Sequence, residues 1–342
     1  MLVWLLLPAW DAGAQQLQLR ANLQVAVSDP FYGASLARFK DEVERNSRNA
    51  ISIVIRDEGQ WYRDDEVVAA VMAGAVDIGI AGADRYVGAV PAAGILNQPF
   101  LFNFQGLRDA AAAPGSELRR LIDDAILART GVRVLWWQSL GQNVVYSKGR
   151  RDVADPAWIK LQRVGVPSRL LAEFVGRCGG TASVLPVEHL RDRLEDGTLD
   201  MAMADLAALE ADELWDVTDT ITFTEHAPVE YLLIFNEKVW KSLTAGQRAI
   251  IRQAATEVEL ETRDILSEFE ARAYALASIK GMQVRELTPD DVAEWRACSA
   301  DMLLDYMDKN GEIAQRLMSA YSRLRLDPCC AAAPGSAAFT RR

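Results

Sequence analysis

The chain has 342 residues, with 37 Lys and Arg against 48 Asp and Glu, a formal net charge of −11. Half of it is hydrophobic and a quarter charged, the composition of a globular protein long enough for two domains with separate cores. The acidic balance excludes nucleic acid as the expected partner and leaves any anionic ligand to be held by local donors against the overall field.

The chain opens on LVWLLLPAW, residues 2–10, followed by the small residues AGA at 12–14. No basic residue precedes the run, yet the order of apolar stretch and small-residue cut site predicts a signal peptide over 1–14 and a mature protein outside the cytoplasm. No apolar run reaches the length of a membrane span. Beyond the leader, residues 17–28 are strand-like until Asp29 and Pro30 stop them, and 33–46 have helical spacing. AISIVI (50–55) is a second strand, and a helix runs from about Asp64 to Met72. GAVDIGIAG then gives a third strand. This β-α-β-α-β order predicts one doubly wound lobe. NQPFLF (97–102), helices near 105–112 and 116–129, and a strand over 131–138 complete it.

A second lobe starts near Gly141. VVYSK (144–148) is extended, RVGVP (163–167) is a strand, Ser168 caps a helix over 170–177, and TASVLP (181–186) is a strand. Next comes a repeat of the first lobe. Setting Gly74 on Gly197 brings Val67 onto Leu190, Val71 onto Leu194, Val76 onto Leu199 and Asp77 onto Asp200. Each copy reads as a helix, a glycine in the left-handed position that ends it, and an apolar strand covered on both faces. Residues 219–235 form two extended pieces that cross back between the lobes. Thr244 and Gln247 have capping-box spacing, and no proline interrupts the helical pattern from there to Lys280. At 1.5 Å per residue that is about 50 Å, long enough to span both lobes. A strand over 282–288, a helix from Thr288 and Pro289, and a last helix from Gly311 follow. The tail over 326–342 has a disordered composition.

The chemistry of catalysis is missing from the sequence. The two histidines, His189 and His226, belong to no motif, and there is no nucleophile elbow, HExxH, Walker loop or GxGxxG. The four cysteines (Cys178, Cys298, Cys329, Cys330) lack metal-ligand spacing; an export compartment permits a disulfide without choosing the pair. Neither metal nor cofactor is expected. In an open α/β sheet a ligand sits beyond the carboxyl ends of the strands. That places the site at the ends of the two repeats, at Ala81 to Asp84 and at Ala204 to Leu206 with Asp205 as a polar contact. Phe31, Tyr32, Trp61 and Tyr62 are the expected apolar walls, and Gln142 and Asn143 the expected polar groups where the second lobe opens.

At this point the residues resemble a family: the extracytoplasmic solute receptors of tripartite ATP-independent periplasmic (TRAP) transporters, of the DctP type. The likeness covers residues 18–325. It rests on FKDEVERN, on AGAVDIGIAG followed by NQPFLF, on RVGVPS with LAEFVGRCGG, on LEDGTLDMAMADL, and on DTITFTEHAPVEYLLIFN followed by VWKSLTAGQRAIIRQAA and the long helix. The resemblance implies an α/β, two-lobed, periplasmic-binding-protein-like (type II) fold with a long helix spanning both lobes, closing on a small organic solute that is handed to membrane permease subunits. Lobe I is expected over 15–140 and 229–265, lobe II over 141–228 and 266–325. The family's usual ligand-gripping arginines fall on Gly165 and Asn143, and its asparagine on Ala204. Arg163 or Arg169 is then the expected cation if the solute is an acid, and a neutral, amide-bearing or aromatic solute is equally compatible. The same fold could instead feed a signalling protein or carry an enzyme. The long helix also permits a homodimer.

Overall fold

The computed structural model describes residues 16–149, 153 and 155–327. The expected signal peptide, most of the expected tail and the Cys329–Cys330 pair lie outside them. In chain order, β1 (Leu17–Asn22), α1 (Tyr32–Asn46), β2 (Ile51–Arg56), α2 (Val67–Ala73) and β3 (Ile78–Gly82) alternate as the pattern predicts. The strand expected over 17–28 ends at Asn22, because Asp29 Oδ1 accepts from the amides of Phe31, Tyr32 and Gly33 and so organises a loop ahead of α1. Then come α3 (Gln105–Ala112), α4 (Glu117–Thr130) and β4 (Val132–Gln142).

The second half holds β5 (Val144–Ser147), β6 (Arg163–Val166), α5 (Arg169–Arg177), β7 (Thr181–Val184), α6 (Leu190–Glu195), β8 (Met201–Ala204), α7 (Ala207–Ala211) and β9 (Thr220–Phe223). The chain returns through β10 (Pro228–Asn236) and α8 (Glu237–Ser242), then runs through α9 (Ala245–Ile279), β11 (Gln283–Glu286) and α10 (Pro289–Leu326).

The strands form two sheets. The first has the order β2-β1-β3-β10-β4, with β1 parallel to β2 and β3 and with β10 antiparallel to both of its neighbours. The second has the order β11-β9-β5-β8-β6-β7, parallel at β6 with β7 and β8 and antiparallel at β5. The chain passes between sheets at residue 143, and again between β9 and β10. Both crossings bring the carboxyl ends of the parallel strands to the same seam.

Each repeat is built alike. Gly74 and Gly197 adopt φ 76° and 75°, the left-handed turn that lets the helix stop and the strand begin. The following aspartate is gripped side-on by an arginine of the neighbouring strand. Arg20 Nε and Nη2 lie 3.2 and 3.0 Å from the Asp77 oxygens, and Arg163 Nε and Nη2 lie 3.0 and 2.9 Å from those of Asp200.

The 35-residue α9 starts from a complete capping box between Thr244 and Gln247. Ile251, Ala254, Ala255 and Val258 pack against β1, β2 and α1 of the first lobe, whereas Ala273 and Ala277 pack against the second. The helix α10 also crosses. Its first part buries Trp295 and Met302 in the second lobe, Gly311 breaks the helical geometry, and Ala314, Leu317, Ala320 and Tyr321 then pack into the first lobe. The assignment of 266–325 as a whole to lobe II therefore fails for 312–325, where the turn at Gly311 redirects an apolar stripe onto the other core. Tyr306, Leu303 and Met307, ahead of Gly311, already pack on the first-lobe core as well, and the Tyr306 hydroxyl donates to the Ala92 carbonyl at 2.8 Å. Cys178, at the C-terminal cap of α5, and Cys298 of α10 form a disulfide between positions 120 apart in the chain. In the chain-entropy model a loop of that length contributes about 5 kcal/mol. Among the described residues no helix is long and apolar enough to cross a membrane, and no group of three or more His, Cys, Asp or Glu could hold a metal ion.

Candidate functional site

Tyr231 of β10 stands at the seam, beside the end of β3 and within electrostatic reach of Asp205, which follows β8. It pairs with Gly82 in the sheet, and a Cβ on Gly82 would lie 3.8 Å from Tyr231 Cζ and against the Asp84 carboxylate. Burial first, and then the carboxylates of Asp64, Asp205 and Asp84, push the Tyr231 phenol well above its ordinary value. Tyr32 lies beside it, the rings tilted by 52° with centroids 4.5 Å apart, and its phenol is raised by burial, by Tyr231 and by Asp205. Residues from both lobes thus converge on two tyrosines, and each keeps part of its surface open.

Local hydrogen bonds explain how the first lobe sets its share of these groups. Asn22, fully buried at the end of β1, donates from Nδ2 to the Tyr62 carbonyl at 2.9 Å and accepts from the Tyr62 amide at 3.1 Å, which tethers the loop carrying Trp61 and Tyr62. Gln24 Nε2 donates to the Ile80 carbonyl at 2.6 Å and to Asp64 Oδ1 at 3.1 Å. Asp64 in turn pairs with Arg85. Trp61 is 37% exposed beneath the Arg56 guanidinium, 5.7 Å from its ring centroid. Tyr62 turns partly into the first-lobe core.

The second lobe contributes Asp205. Its carbonyl accepts from the Tyr146 hydroxyl at 2.9 Å and its Oδ1 from the Ala208 amide at 3.1 Å. Burial raises its carboxyl, the Ala208 and Ala207 amides lower it, and Asp29 across the seam raises it. Burial likewise raises Asp84, against the lowering effect of Arg85. The seam is therefore acidic at these positions, and Arg85 within it is already held by Asp64.

The remaining expected residues divide. Gln142 and Asn143 lie at the crossing, both buried: Gln142 Nε2 donates to the Phe102 carbonyl at 3.1 Å, and the Asn143 amide donates to the Ala227 carbonyl at 2.9 Å. Gln142 Oε1 has no partner among the described residues. Phe31 is not a wall. It is 4% exposed and packs on Leu140, Leu266 and Phe269, because α9 passes beneath it. Arg163 is not a free cation, since Asp200 takes both edges of its guanidinium at the far end of β6 from the seam. Gly165 offers no opening: a Cβ there would meet Leu199 Cδ1 at 2.5 Å and Leu190 Cδ2 at 2.6 Å. Arg169, at the start of α5, borders a separate cavity shared with residues 87–98 and α10. A larger cavity of about 370 Å³ lies on the first lobe between α4, β4 and α9, where Arg119 and Glu259 pair, and is lined by no residue of the seam.

His226 is 1% exposed, stacks on Phe174 with centroids 5.0 Å apart, and is lowered to about 3 by burial, so it remains neutral. Tyr231, Gln24, Asp64 and Arg85 were missed by sequence reasoning. Tyr231 sits in an apolar strand whose only signal is the half-polar start VEY.

Comparison with known proteins fixes the family. The model of "Bacterial extracellular solute-binding protein, family 7" (DctP) matches residues 22–310. The chain belongs to this family. Among its curated relatives are the 2,3-diketo-L-gulonate-binding periplasmic protein YiaO of Escherichia coli, 21% identical over 83% of this chain and 90% of that one, and the C4-dicarboxylate-binding periplasmic protein DctP of Vibrio cholerae, 23% identical over 77% of each. The solved Bordetella pertussis receptor DctP7, which binds pyroglutamic acid, superposes with a TM-score of 0.82 at 20% identity, over 89% of this chain and 99% of that one. A Chromohalobacter salexigens TRAP periplasmic solute-binding protein with bound D-glucuronate gives the same TM-score, identity and coverage. The protein is a solute-binding protein of the type II periplasmic-binding fold, as its motifs implied.

Proposed function

We propose that this family 7 receptor captures a small organic acid between its lobes in the periplasm and delivers it, chemically unchanged, to the permease subunits of a TRAP transporter. The observation that carries the reading is the convergence of Asp84 from one repeat and Asp205 from the other on Tyr231, at the carboxyl ends of both sheets. The lobe boundaries of this reading fall at 140/141 and 228/229, with 312–326 returning to the first lobe. Tyr32, Trp61, Asp84, Gln142, Asn143 and Asp205 bound the cleft, and closure follows to the extent that the solute binds the closed form better than the open one.

The acids named for similar receptors define the first probes: pyroglutamate, glucuronate, galacturonate and galactonate. A thermal-shift series on the purified protein with these four, a neutral amide and an aromatic acid tests the reading. A binder at a hundred times its Kd stabilises the fold by about 2.7 kcal/mol and raises the melting temperature accordingly. Recovery of the intact probe after incubation separates a receptor from an enzyme. If none of the probes moves the melting temperature, the organic-acid assignment is lost.

A further inference from the structure

The cavity of about 370 Å³ between α4, β4 and α9 has no part in solute capture between the lobes, since no residue of the seam lines it. Four guanidiniums border it, from Arg119 and Arg120 of α4, Arg133 of β4 and Arg252 of α9, against the carboxylates of Asp123, Asp124 and Glu259. Two of the four are fully engaged. Arg119 is buried and bonds Glu259, Asp123 and the Ala112 carbonyl. Arg133 donates to both Glu237 oxygens, at 2.7 and 2.9 Å. The other two are free to take a guest. Arg252 is exposed, and its guanidinium forms no hydrogen bond or ion pair among the described residues. It rests over the Trp240 ring, 5.7 Å from the centroid, with the Arg133 guanidinium 5.3 Å from the same centroid. Arg120 meets Asp124 at 3.3 Å, with both side chains more than half exposed. An exposed pair of that kind contributes little and yields readily to a stronger anion. The acids bordering the cavity are weakened as competitors. Glu259 is consumed by Arg119 and Arg263, and burial pushes Asp123 up to about 6. Ser116, which precedes α4 and borders the same space, caps none of its amides, so the positive end of the helix adds to the field. Half-buried Leu127, Val134 and Leu135 form an apolar side.

We propose that this cavity is a second binding site, separate from the interlobe cleft, for a small organic phosphate or sulfonate, with Arg120 and Arg252 gripping the oxyanion head and the leucine side holding a compact apolar body. Guanidiniums that come from two different helices approach the head from two directions, which suits a tetrahedral oxyanion with acceptors on several sides. The volume is that of a pocket for a small molecule, larger than an inorganic ion needs. In a chain of net charge −11 the long-range field opposes anions, so a site of this kind works through contact and not through steering. All of its walls belong to the first lobe and to the first-lobe half of α9, so occupancy does not require the lobes to close.

Isothermal titration of the whole protein with phenyl phosphate and with inorganic phosphate tests this. Phenyl phosphate should bind at one site, and inorganic phosphate, which lacks the apolar body, more weakly. Arg120 and Arg252 are exposed, so Arg120→Ala and Arg252→Ala should fold as wild type does. Each should weaken phenyl phosphate by about tenfold to hundredfold, the usual effect of losing a charge-assisted hydrogen bond. Arg193→Ala, which removes an exposed charge from α6 of the second lobe, controls for net charge and should bind as wild type does. Trp61→Ala, which alters the interlobe cleft, should also leave phenyl phosphate binding unchanged. Absence of binding to wild type, or equal binding to wild type and both arginine variants, overturns the site. Loss of binding in Trp61→Ala moves the anion to the interlobe cleft and overturns it as well, and in each case the receptor reading stands.

Discussion

The two lobes share a frame and differ at its tips. In each, a helix stops at a left-handed glycine, an aspartate follows, and an arginine from the neighbouring strand grips that aspartate side-on (Arg20 with Asp77, Arg163 with Asp200). The clamp sits at the amino end of the strands, away from the seam, so it serves folding and is free to repeat. At the carboxyl ends the likeness stops. The first lobe carries Asp84 together with Gln24, Asp64 and Arg85, of which Gln24 bonds Asp64 and Asp64 pairs with Arg85. The second presents Ala204 and the leucine-packed Gly165, with Asp205 as its polar contribution. A duplicated frame with one polar tip and one apolar tip can close without stranding a second set of charges.

The largest expected effect comes from forcing the second tip to resemble an arginine-bearing one. Gly165→Arg should destabilise the protein by about 3 kcal/mol or more, because its Cβ collides with Leu199 and Leu190 and its charge has no place in that packing. Urea unfolding reads the loss, and adding Leu199→Ala should recover part of it by opening space. A Gly165→Arg protein with the wild-type midpoint would show that the second tip is roomy, and the contrast between the lobes would collapse.

A smaller effect probes the seam itself. Glu230, at the start of β10, is pushed up to about 7 by burial, against the Ser139 hydrogen bond and the charges of Arg108 and Arg263. A carboxyl raised on folding is favourable while protonated, so its contribution is complete below its ordinary value of 4.5 and is lost as pH rises to about 7. Over that window wild type should lose about 3 kcal/mol more than Glu230→Gln. His226, lowered to about 3 by burial, acts oppositely: its contribution disappears as pH falls from 6.5 toward 3. Stability curves of the two proteins that stay parallel from pH 4.5 to 7.5 would mean that Glu230 is hydrated and the seam open.

Some of this was legible in the sequence and some was not, for physical reasons. The repeat was readable because helix stop, aspartate and apolar strand are all local signals. The long helix was readable because Thr244 and Gln247 mark its start and no breaker interrupts it. Arg163 reads as an available cation because nothing local to RVGVP reveals Asp200, a partner 37 positions away. Phe31 reads as a pocket aromatic until α9 brings Leu266 and Phe269 beneath it. Gly311 announced a break, yet only tertiary packing decides that the residues after it return to the first lobe. Tyr231 looked like one more member of an apolar strand, and its role depends on which residues stand at its two ends.

The finest comparison is between the two clamps. Asp77 is 7% exposed and Asp200 25%, and Arg20 additionally donates to the Gly74 carbonyl at 3.0 Å. A more buried carboxylate loses more when its partner is mismatched, because less water replaces the lost bonds. Asp77→Asn should therefore cost about 2 kcal/mol and Asp200→Asn about 1 kcal/mol, both read from urea midpoints at pH 7. The order matters more than the values. Equal losses would mean that the two frames are energetically as well as geometrically alike. A larger loss at Asp200 would mean that the second lobe, despite its disulfide between Cys178 and Cys298, depends more on its clamp than the first.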